Sequence, residues 1–154
     1  MQPLDQLVKL LIQKQLTIAT AESCTGGNLS AALTSQSGAS AYFDRGFITY
    51  SNQSKIDMLG VKPATLDEFG AVSEQVALQM AQGVMHNSAA DIGVSITGIA
   101  GPTGASQNKP VGMVCFGFYL LGECSALTQY FDGSREQVVN SSVNFAINGL
   151  VKRL

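Results

Sequence analysis

The stretch Thr20–Gly27, TAESCTGG, marks the point where an apolar strand passes into a helix. Residues 16–20 (LTIAT) are apolar and β-branched, which predicts a buried strand. Residues 26–36 (GGNLSAALTSQ) predict a short helix. Because a turn needs only one or two polar residues, the run of Glu, Ser, Cys and Thr indicates a functional site at the strand end.

The rest of the chain alternates helical and strand patterns. The predicted elements are an amphipathic helix over 4–14, strands over 43–50 and 91–97, helices over 51–60 and 65–70, a helix capped by Ser73, a hairpin over 111–131 and a last helix from about Ser134 to Leu154. Ser51 or Asn52 is predicted to cap the third helix, which stops at Gly60. Thr65 and Glu68 match a capping box for the helix that ends at Gly70.

This order predicts an α/β fold with a largely parallel sheet covered by helices on both faces. Helical crossovers join the first three strands, so these strands run parallel and their carboxyl ends share one edge. The fourth strand follows through a loop without a helix over 98–110, and we expect it to run back. The fifth follows a tight turn and runs forward again.

Four polar, glycine-rich segments then meet at the carboxyl edge of the sheet. They are ESCTGG at 22–27, SNQSK at 51–55, TGIAGPTG at 97–104 and DGSR at 132–135. Open α/β sheets bind ligands at this edge, so the sequence predicts a pocket there.

Composition narrows the class of protein. The 154 residues, 45% hydrophobic and 13% charged, predict one globular domain over residues 1–154. A net charge of −2, the lack of Trp and the lack of a basic run argue against a nucleic-acid partner. No run reaches the roughly 18 apolar residues of a membrane span, and no signal peptide is expected. Three scattered cysteines, Cys24, Cys115 and Cys124, favour a reducing cytoplasm.

Two residues of the opening stretch are candidate nucleophiles. Ser23 is predicted to lie in the tight turn beside unpaired amides of the next helix, which suits an attacking hydroxyl next to an oxyanion site. The alternative is that Ser23 or Thr25 only caps that helix. Cys24 is the rival nucleophile, because a helix N-terminus lowers a thiol pKa, but small cysteines after strands are also common packing residues.

A serine nucleophile requires a base, and the sequence offers two candidates. His86, the only histidine, is predicted at the opposite, amino edge of the sheet, which argues against a histidine triad. Lys55 is predicted in the first turn of its helix, where the helix dipole and partial burial both lower an ammonium pKa. The alternative for Lys55 is an ordinary solvated lysine.

Further candidates surround this pair. The loop TGIAGPTG, with Thr97, Gly98 and Gly101, is suited to presenting amides to a carbonyl or phosphate, or is a long structural loop. Arg135 at a helix start is suited to a phosphate, or forms a surface ion pair with Asp132 or Glu136. Tyr50 and Asn52 flank the second strand's end and are candidates to orient the base or the substrate. The pattern predicts no cofactor and no metal site.

The ordered set of motifs resembles the CinA C-terminal domain family. The segments that carry the resemblance are TAESCTGG, FDRGFITYSNQSK, LGV, FGAVSE, SITGIAGPTG, KPVG and FDGSR, which run in order from about residue 4 to 150. The resemblance implies a three-layer α/β/α sandwich on a five-stranded mixed sheet with strand 4 antiparallel. It also implies the chemistry of the stand-alone, PncC-type members: hydrolysis of nicotinamide mononucleotide to nicotinate mononucleotide and ammonia, without a metal or cofactor, in pyridine nucleotide salvage.

The resemblance also implies residue roles. Ser23 would be the nucleophile and Lys55 its base, with Tyr50 and Asn52 in support. The oxyanion would be held by amides of Thr25, Gly26 and Gly27 or of Thr97 to Gly101, and Arg135 would hold the phosphate.

The chain departs from the family pattern at three positions. Ala105 and Gln107 stand where the family commonly has Gly and Glu, and Ser134 where it has Asp. Two alternatives follow from these departures: a module that binds a nucleotide without catalysis, and an amidase or esterase for a different small molecule.

The apolar residues of the last helix and hairpin are suited either to packing in the core or to forming a dimer interface, and a homodimer is the favoured assembly.

Overall fold

The computed structural model describes residues Met1–Leu154 and contains one sheet flanked by helices. The strands are β1 Ile18–Glu22, β2 Phe43–Ile48, β3 Ile92–Gly98, β4 Met113–Leu120 and β5 Glu123–Tyr130. The α-helices are α1 Pro3–Lys14, α2 Asn28–Leu33, α3 Asn52–Leu59, α4 Pro63–Phe69, α5 Glu74–His86 and α6 Arg135–Arg153, and a 3-10 turn spans Ala39–Ala41.

The sheet has the order β2-β1-β3-β4-β5. β1 pairs in parallel with both β2 and β3, whereas β4 is antiparallel to β3 and to β5. The predicted fold class is therefore confirmed, including the reversed fourth strand. Because β1 lies between two parallel neighbours, its carboxyl end, where Ser23 follows, is flanked by the strand ends at Ile48 and Gly98.

Helices cover both faces of the sheet and form two apolar cores. The larger core lies under α1, α2 and α6 and includes Leu29, Phe116 and Ile147. The smaller lies under α3, α4 and α5 and includes Met80 and Val84. None of the six helices combines the length and apolarity that a membrane crossing requires.

Helix ends test the capping predictions directly. The Ser51 and Ser73 hydroxyls accept the backbone N–H groups of Ser54 and Val76, as predicted, and Gly60 ends α3 with φ 68°. The capping box at Thr65 and Glu68 was wrong. Helix α4 begins two residues earlier, at Pro63, whose ring fixes the φ angle that the first helical residue needs.

A contact between two helices and a glycine turn explain the remaining differences at helix ends. Thr65 Oγ1 accepts a hydrogen bond from Gln79 Nε2 of α5, so it is used between helices and does not cap one. Helix α2 begins at Asn28, later than predicted, because Gly26 and Gly27 adopt positive φ, and it ends at Leu33.

The packing of α3 on α5 depends on a glycine. A Cβ at Gly83 would lie 2.1 Å from the carbonyl oxygen of Leu59 at the end of α3. Helix propensity alone favours Gly→Ala by about 1 kcal/mol. We expect Gly83→Ala instead to destabilise the protein by about 3 kcal/mol, because backbone atoms cannot move away as a side chain can. Urea denaturation measures the change, and a stabilised variant would contradict the close packing of α3, the helix that carries Lys55.

Candidate active site

Two buried polar side chains meet at the carboxyl edge of the sheet. Ser23, in the turn after β1, is 7% exposed, and Lys55, in the first turn of α3, is 1% exposed. The Lys55 Nζ lies 2.9 Å from the Ser23 Oγ, although the two residues are 32 positions apart in the chain. The solvated-lysine alternative is excluded by this burial, and Ser23 does not cap α2.

The burial of Lys55 makes its neutral form more accessible than that of an ordinary lysine. Its Nζ lies 2.7 Å from the carbonyl oxygen of Thr49 and 3.3 Å from that of Tyr50. No carboxylate pairs with it, because the only ion pair in the protein joins Arg45 and Asp44. Burial lowers the pKa of Lys55 from 10.5 to about 8. A neutral amine donates to the two carbonyl groups and keeps its lone pair for the hydroxyl proton of Ser23.

Cys24 lacks the properties of a reactive thiol. Burial raises its pKa from 9.0 to about 11, a change that outweighs the opposing effects of its own backbone, Lys55 and Arg135. The thiolate needed for attack is therefore scarce at neutral pH. The half-buried side chain packs against the larger core and lines the cavity beside Ser23, as a packing residue does.

Backbone amides near Ser23 have no partner within the chain. The N–H groups of Cys24 and Thr25 donate no hydrogen bond, and neither do those of Ala100 and Gly101 in the loop after β3. Cys24, Ala100 and Gly101 line the cavity, and the last two are buried. A backbone N–H directly after a nucleophile, together with an N–H from a neighbouring loop, is the arrangement that oxyanion holes use.

A cavity of about 300 Å³ opens beside Ser23 and Lys55, at the lower end of the size of small-molecule sites. Its lining comprises Ser23, Cys24, Tyr50, Asn52, Lys55, Ala71, Val72, Thr97, Gly98, Ile99, Ala100, Gly101, Thr103, Gly104 and Arg135. All four predicted segments contribute to it. Its lining includes Lys55 and Arg135 and no Asp or Glu, so no carboxylate faces the cavity.

Three predicted residues of the cavity wall, Arg135, Thr97 and Asn52, differ in their hydrogen bonds. The Arg135 guanidinium donates to the carbonyl oxygen of Gly101 and to the Tyr50 hydroxyl, each at 2.9 Å, and forms no ion pair with Asp132 or Glu136. It therefore connects α6 to two sides of the cavity mouth. Thr97 Oγ1 donates to the Ala71 carbonyl. The exposed Asn52 side chain lines the cavity and forms no hydrogen bond within the chain, so its amide is available to bind a ligand.

Three residues predicted to bind substrate lie outside the cavity lining: Thr25, Gly26 and Gly27. The Thr25 hydroxyl is buried and donates to Glu22, and the Gly26 N–H donates to the Ser23 carbonyl.

The predictions missed Glu22, whose carboxylate is fully buried behind the turn, and the apolar wall of Ala71 and Val72. A charged residue at the end of an otherwise apolar strand was the available signal for Glu22. His86 is exposed at the end of α5 and does not line the cavity.

The three departures from the family pattern are also outside the lining. Ala105 is exposed and does not have positive φ, so its methyl group causes no backbone strain. Gln107 is exposed. Ser134 caps α6 in a complete capping box with Gln137, a role that Ser and Asp fill equally well. None of the three departures therefore changes the cavity wall.

Comparison with other proteins agrees with this fold. The sequence model of the family described as CinA C-terminal domain matches residues 2–154. The chain belongs to the CinA C-terminal domain family. A CinA-like protein from Kosmotoga olearia is 45% identical over 146 residues, which are 94% of this chain and 35% of the relative. A relative from Clostridium tetani is 49% identical over 95% of this chain and 36% of its own length. The chain thus spans about a third of the length of these curated relatives.

Solved structures of CinA superfamily proteins match over nearly their whole length. A protein of this superfamily from Klebsiella pneumoniae has a TM-score of 0.95 at 36% identity, covering 98% of this chain and 94% of that one. A competence/damage inducible protein from Agrobacterium tumefaciens has a TM-score of 0.90 at 42% identity, covering 99% and 96%. The three-layer architecture is therefore shared with CinA proteins.

Proposed function

We propose that the protein is a nicotinamide-nucleotide amidase, which hydrolyses the carboxamide of nicotinamide mononucleotide with Ser23 as nucleophile and Lys55 as general base. The observation that carries the proposal is the buried 2.9 Å contact between Ser23 Oγ and a lysine whose pKa is lowered to about 8. Serine needs an adjacent base to attack an amide, and a lysine that is partly neutral near physiological pH meets that need.

The first half of the reaction forms an acyl-enzyme. Neutral Lys55 takes the Ser23 hydroxyl proton as Oγ attacks the carboxamide carbon. The carbonyl oxygen becomes an oxyanion, which the free N–H groups of Cys24 and of Ala100 or Gly101 are placed to accept as hydrogen-bond donors. When the C–N bond breaks, the Lys55 ammonium returns its proton to the departing nitrogen, and ammonia leaves.

The second half releases the product. A water molecule takes the place of ammonia, Lys55 accepts one of its protons, and the resulting hydroxide attacks the ester carbon. Collapse of this second tetrahedral state breaks the bond to Oγ, and Lys55 returns the proton to Ser23. Nicotinate mononucleotide leaves, and the neutral Ser23–Lys55 pair is restored.

The charge of the cavity supports an anionic substrate. Arg135 stands at the mouth with no carboxylate partner, so a phosphate is a suitable ligand for it. The apolar wall of Ala71, Val72 and Ile99 suits a flat pyridine ring. Because Ala105, Gln107 and Ser134 lie away from this wall, they give no specific reason to prefer a changed substrate.

The test of the proposal is ammonia release from nicotinamide mononucleotide by the purified protein, with a chelator in a parallel reaction. Release that persists with the chelator supports the amidase. Saturable binding of the nucleotide by calorimetry without ammonia would replace the proposal with a binding module. Release only from other amides would replace it with an amidase of different specificity.

The pH dependence of the rate tests Lys55 as the base. Because the neutral amine is the active form, we expect kcat/KM to rise about tenfold per pH unit below pH 8 and to level off above it. The measurement is the initial rate of ammonia release from pH 6 to 9.5 at constant ionic strength. A rate that falls across this range would require a protonated Lys55 and a different base.

A further inference from the structure

The carboxylate of Glu22 is buried immediately behind the nucleophile and accepts four hydrogen bonds. Its Oε1 accepts from Thr25 Oγ1 at 2.6 Å and from the Leu29 N–H at 2.8 Å. Its Oε2 accepts from the Ser30 N–H at 3.0 Å and from Ser30 Oγ at 2.7 Å. Because the single Ser30 proton goes to Glu22, the Thr20 hydroxyl, 2.8 Å from Ser30 Oγ, is the donor to Ser30.

These bonds connect the strand, the turn and the helix that surround Ser23. Glu22 is the last residue of β1, Thr25 lies in the turn, and Leu29 and Ser30 lie in the first turn of α2. The Glu22 side chain faces α2, and successive side chains of a strand point to opposite faces, so Ser23 points away from it toward Lys55. The backbone at this point is also held, because Glu22 O accepts from Thr49 N and Ser23 N donates to Ile96 O.

Glu22 takes no direct part in the proposed chemical steps. It does not line the cavity, no basic side chain pairs with it, and its four hydrogen bonds use the acceptor sites of both carboxylate oxygens. Burying a carboxylate costs free energy, and the four hydrogen bonds to Glu22 offset that cost.

We propose that Glu22 is a positioning residue for the reaction: it holds the turn so that Ser23 Oγ stays within proton-transfer distance of Lys55. This inference rests on the proposed amidase for its kinetic consequences, but its structural content can be tested separately. Glu22 acts only through the turn, so its loss should slow the chemical step and leave substrate affinity unchanged.

The first test is Glu22→Gln, which keeps the shape of the side chain. The amide has one acceptor oxygen in place of two, so either Leu29 or Ser30 loses the acceptor for its N–H. We expect kcat to fall about 10²-fold, the effect of a small misplacement of a reacting group, with KM for nicotinamide mononucleotide unchanged. A variant with wild-type kcat would overturn the proposal.

Two variants of Thr25 disturb the turn less than Glu22→Gln and test the proposal even if that variant does not fold. Thr25→Val removes only the hydroxyl that donates to Glu22, and Thr25→Ser retains it. We expect kcat to fall about tenfold in Thr25→Val, because one of the four hydrogen bonds to Glu22 is lost. We expect kcat to stay at the wild-type value in Thr25→Ser, because the serine hydroxyl donates the same bond. Equal rates for both variants would show that the Glu22 contacts do not position Ser23.

Amide hydrogen exchange separates this proposal from the proposed function. The N–H groups of Gly26 and Asn28 donate to the carbonyls of Ser23 and Thr25 and do not touch Glu22. We expect Glu22→Gln to speed their exchange, whereas Ser95→Ala, which removes a 2.6 Å buried bond to Ala77 outside the turn, should not. Unchanged exchange at Gly26 and Asn28 would overturn the positioning role, whether or not the wild type releases ammonia.

Discussion

Replacing Ser23 with Ala is expected to slow ammonia release from nicotinamide mononucleotide by roughly 10⁴- to 10⁶-fold, the effect of removing a serine nucleophile. The substitution removes one buried oxygen and leaves the β1 backbone bonds intact, since Ser23 N still donates to Ile96 O. Lys55 keeps the Thr49 and Tyr50 carbonyls as acceptors. The fold and the cavity should therefore persist, so kcat from a coupled ammonia assay should fall while calorimetry still detects the bound nucleotide.

The matched control for this variant is Ser142→Ala. Ser142 is also fully buried, but its hydroxyl donates to the Val138 carbonyl within α6, away from the cavity. It should retain near-normal turnover. If Ser23→Ala kept more than a tenth of the wild-type rate, Ser23 would not be the nucleophile, and Cys24→Ala would then decide whether the neighbouring thiol performs the attack.

The sequence predicted most of the fold because the β-branched, apolar strands are distinct from the helical patterns around them. The reversal of β4 followed from the absence of a helix between 98 and 110, and it is confirmed. The error at Thr65 has a different origin. The capping-box pattern was present, but Pro63 starts a helix as effectively, and the contact with Gln79 that uses the Thr65 hydroxyl joins residues 14 apart.

The candidate site could be predicted only as far as strand order brings residues to one edge. Ser23 and Lys55 follow adjacent strands, so their proximity was predictable, but the burial that lowers the Lys55 pKa depends on the packing of α3 against α5. Glu22 was missed because two of its four partners are backbone N–H groups of α2, and the other two are hydroxyls that the turn brings to it. Ala71 and Val72 were missed because small apolar residues in a loop carry no signal of their own.

Replacing Lys55 with Met is expected to slow ammonia release by roughly 10⁴-fold or more, as the loss of a general base does when it acts together with its nucleophile. Met is unbranched and fills the same buried channel, but it neither accepts the Ser23 proton nor returns it to ammonia. Lys62→Met is the matched control, because Lys62 is exposed and its side chain forms no hydrogen bond. Normal turnover in Lys55→Met would require another base for Ser23.

The same variant changes how stability depends on pH, and this measurement does not require activity. The pKa of Lys55 is about 8 in the folded protein against 10.5 when unfolded, so between these values the unfolded state holds one more proton. The free energy of unfolding contributed by this group therefore rises with pH, by about 1.4 kcal/mol per unit from roughly pH 8 to 10.5. Below pH 8 both states are protonated, and the penalty for burying the ammonium is fully present.

Urea denaturation of the wild type, Lys55→Met and Lys62→Met from pH 7 to 10 measures this difference. The stability of the wild type and of Lys62→Met should rise relative to Lys55→Met across the upper part of the range. Parallel curves for all three proteins would mean that folded Lys55 keeps an ordinary lysine pKa. Its neutral form, which carries the lone pair that accepts the Ser23 proton, would then be scarce throughout the pH range of the assay, and the proposed mechanism would lose its base.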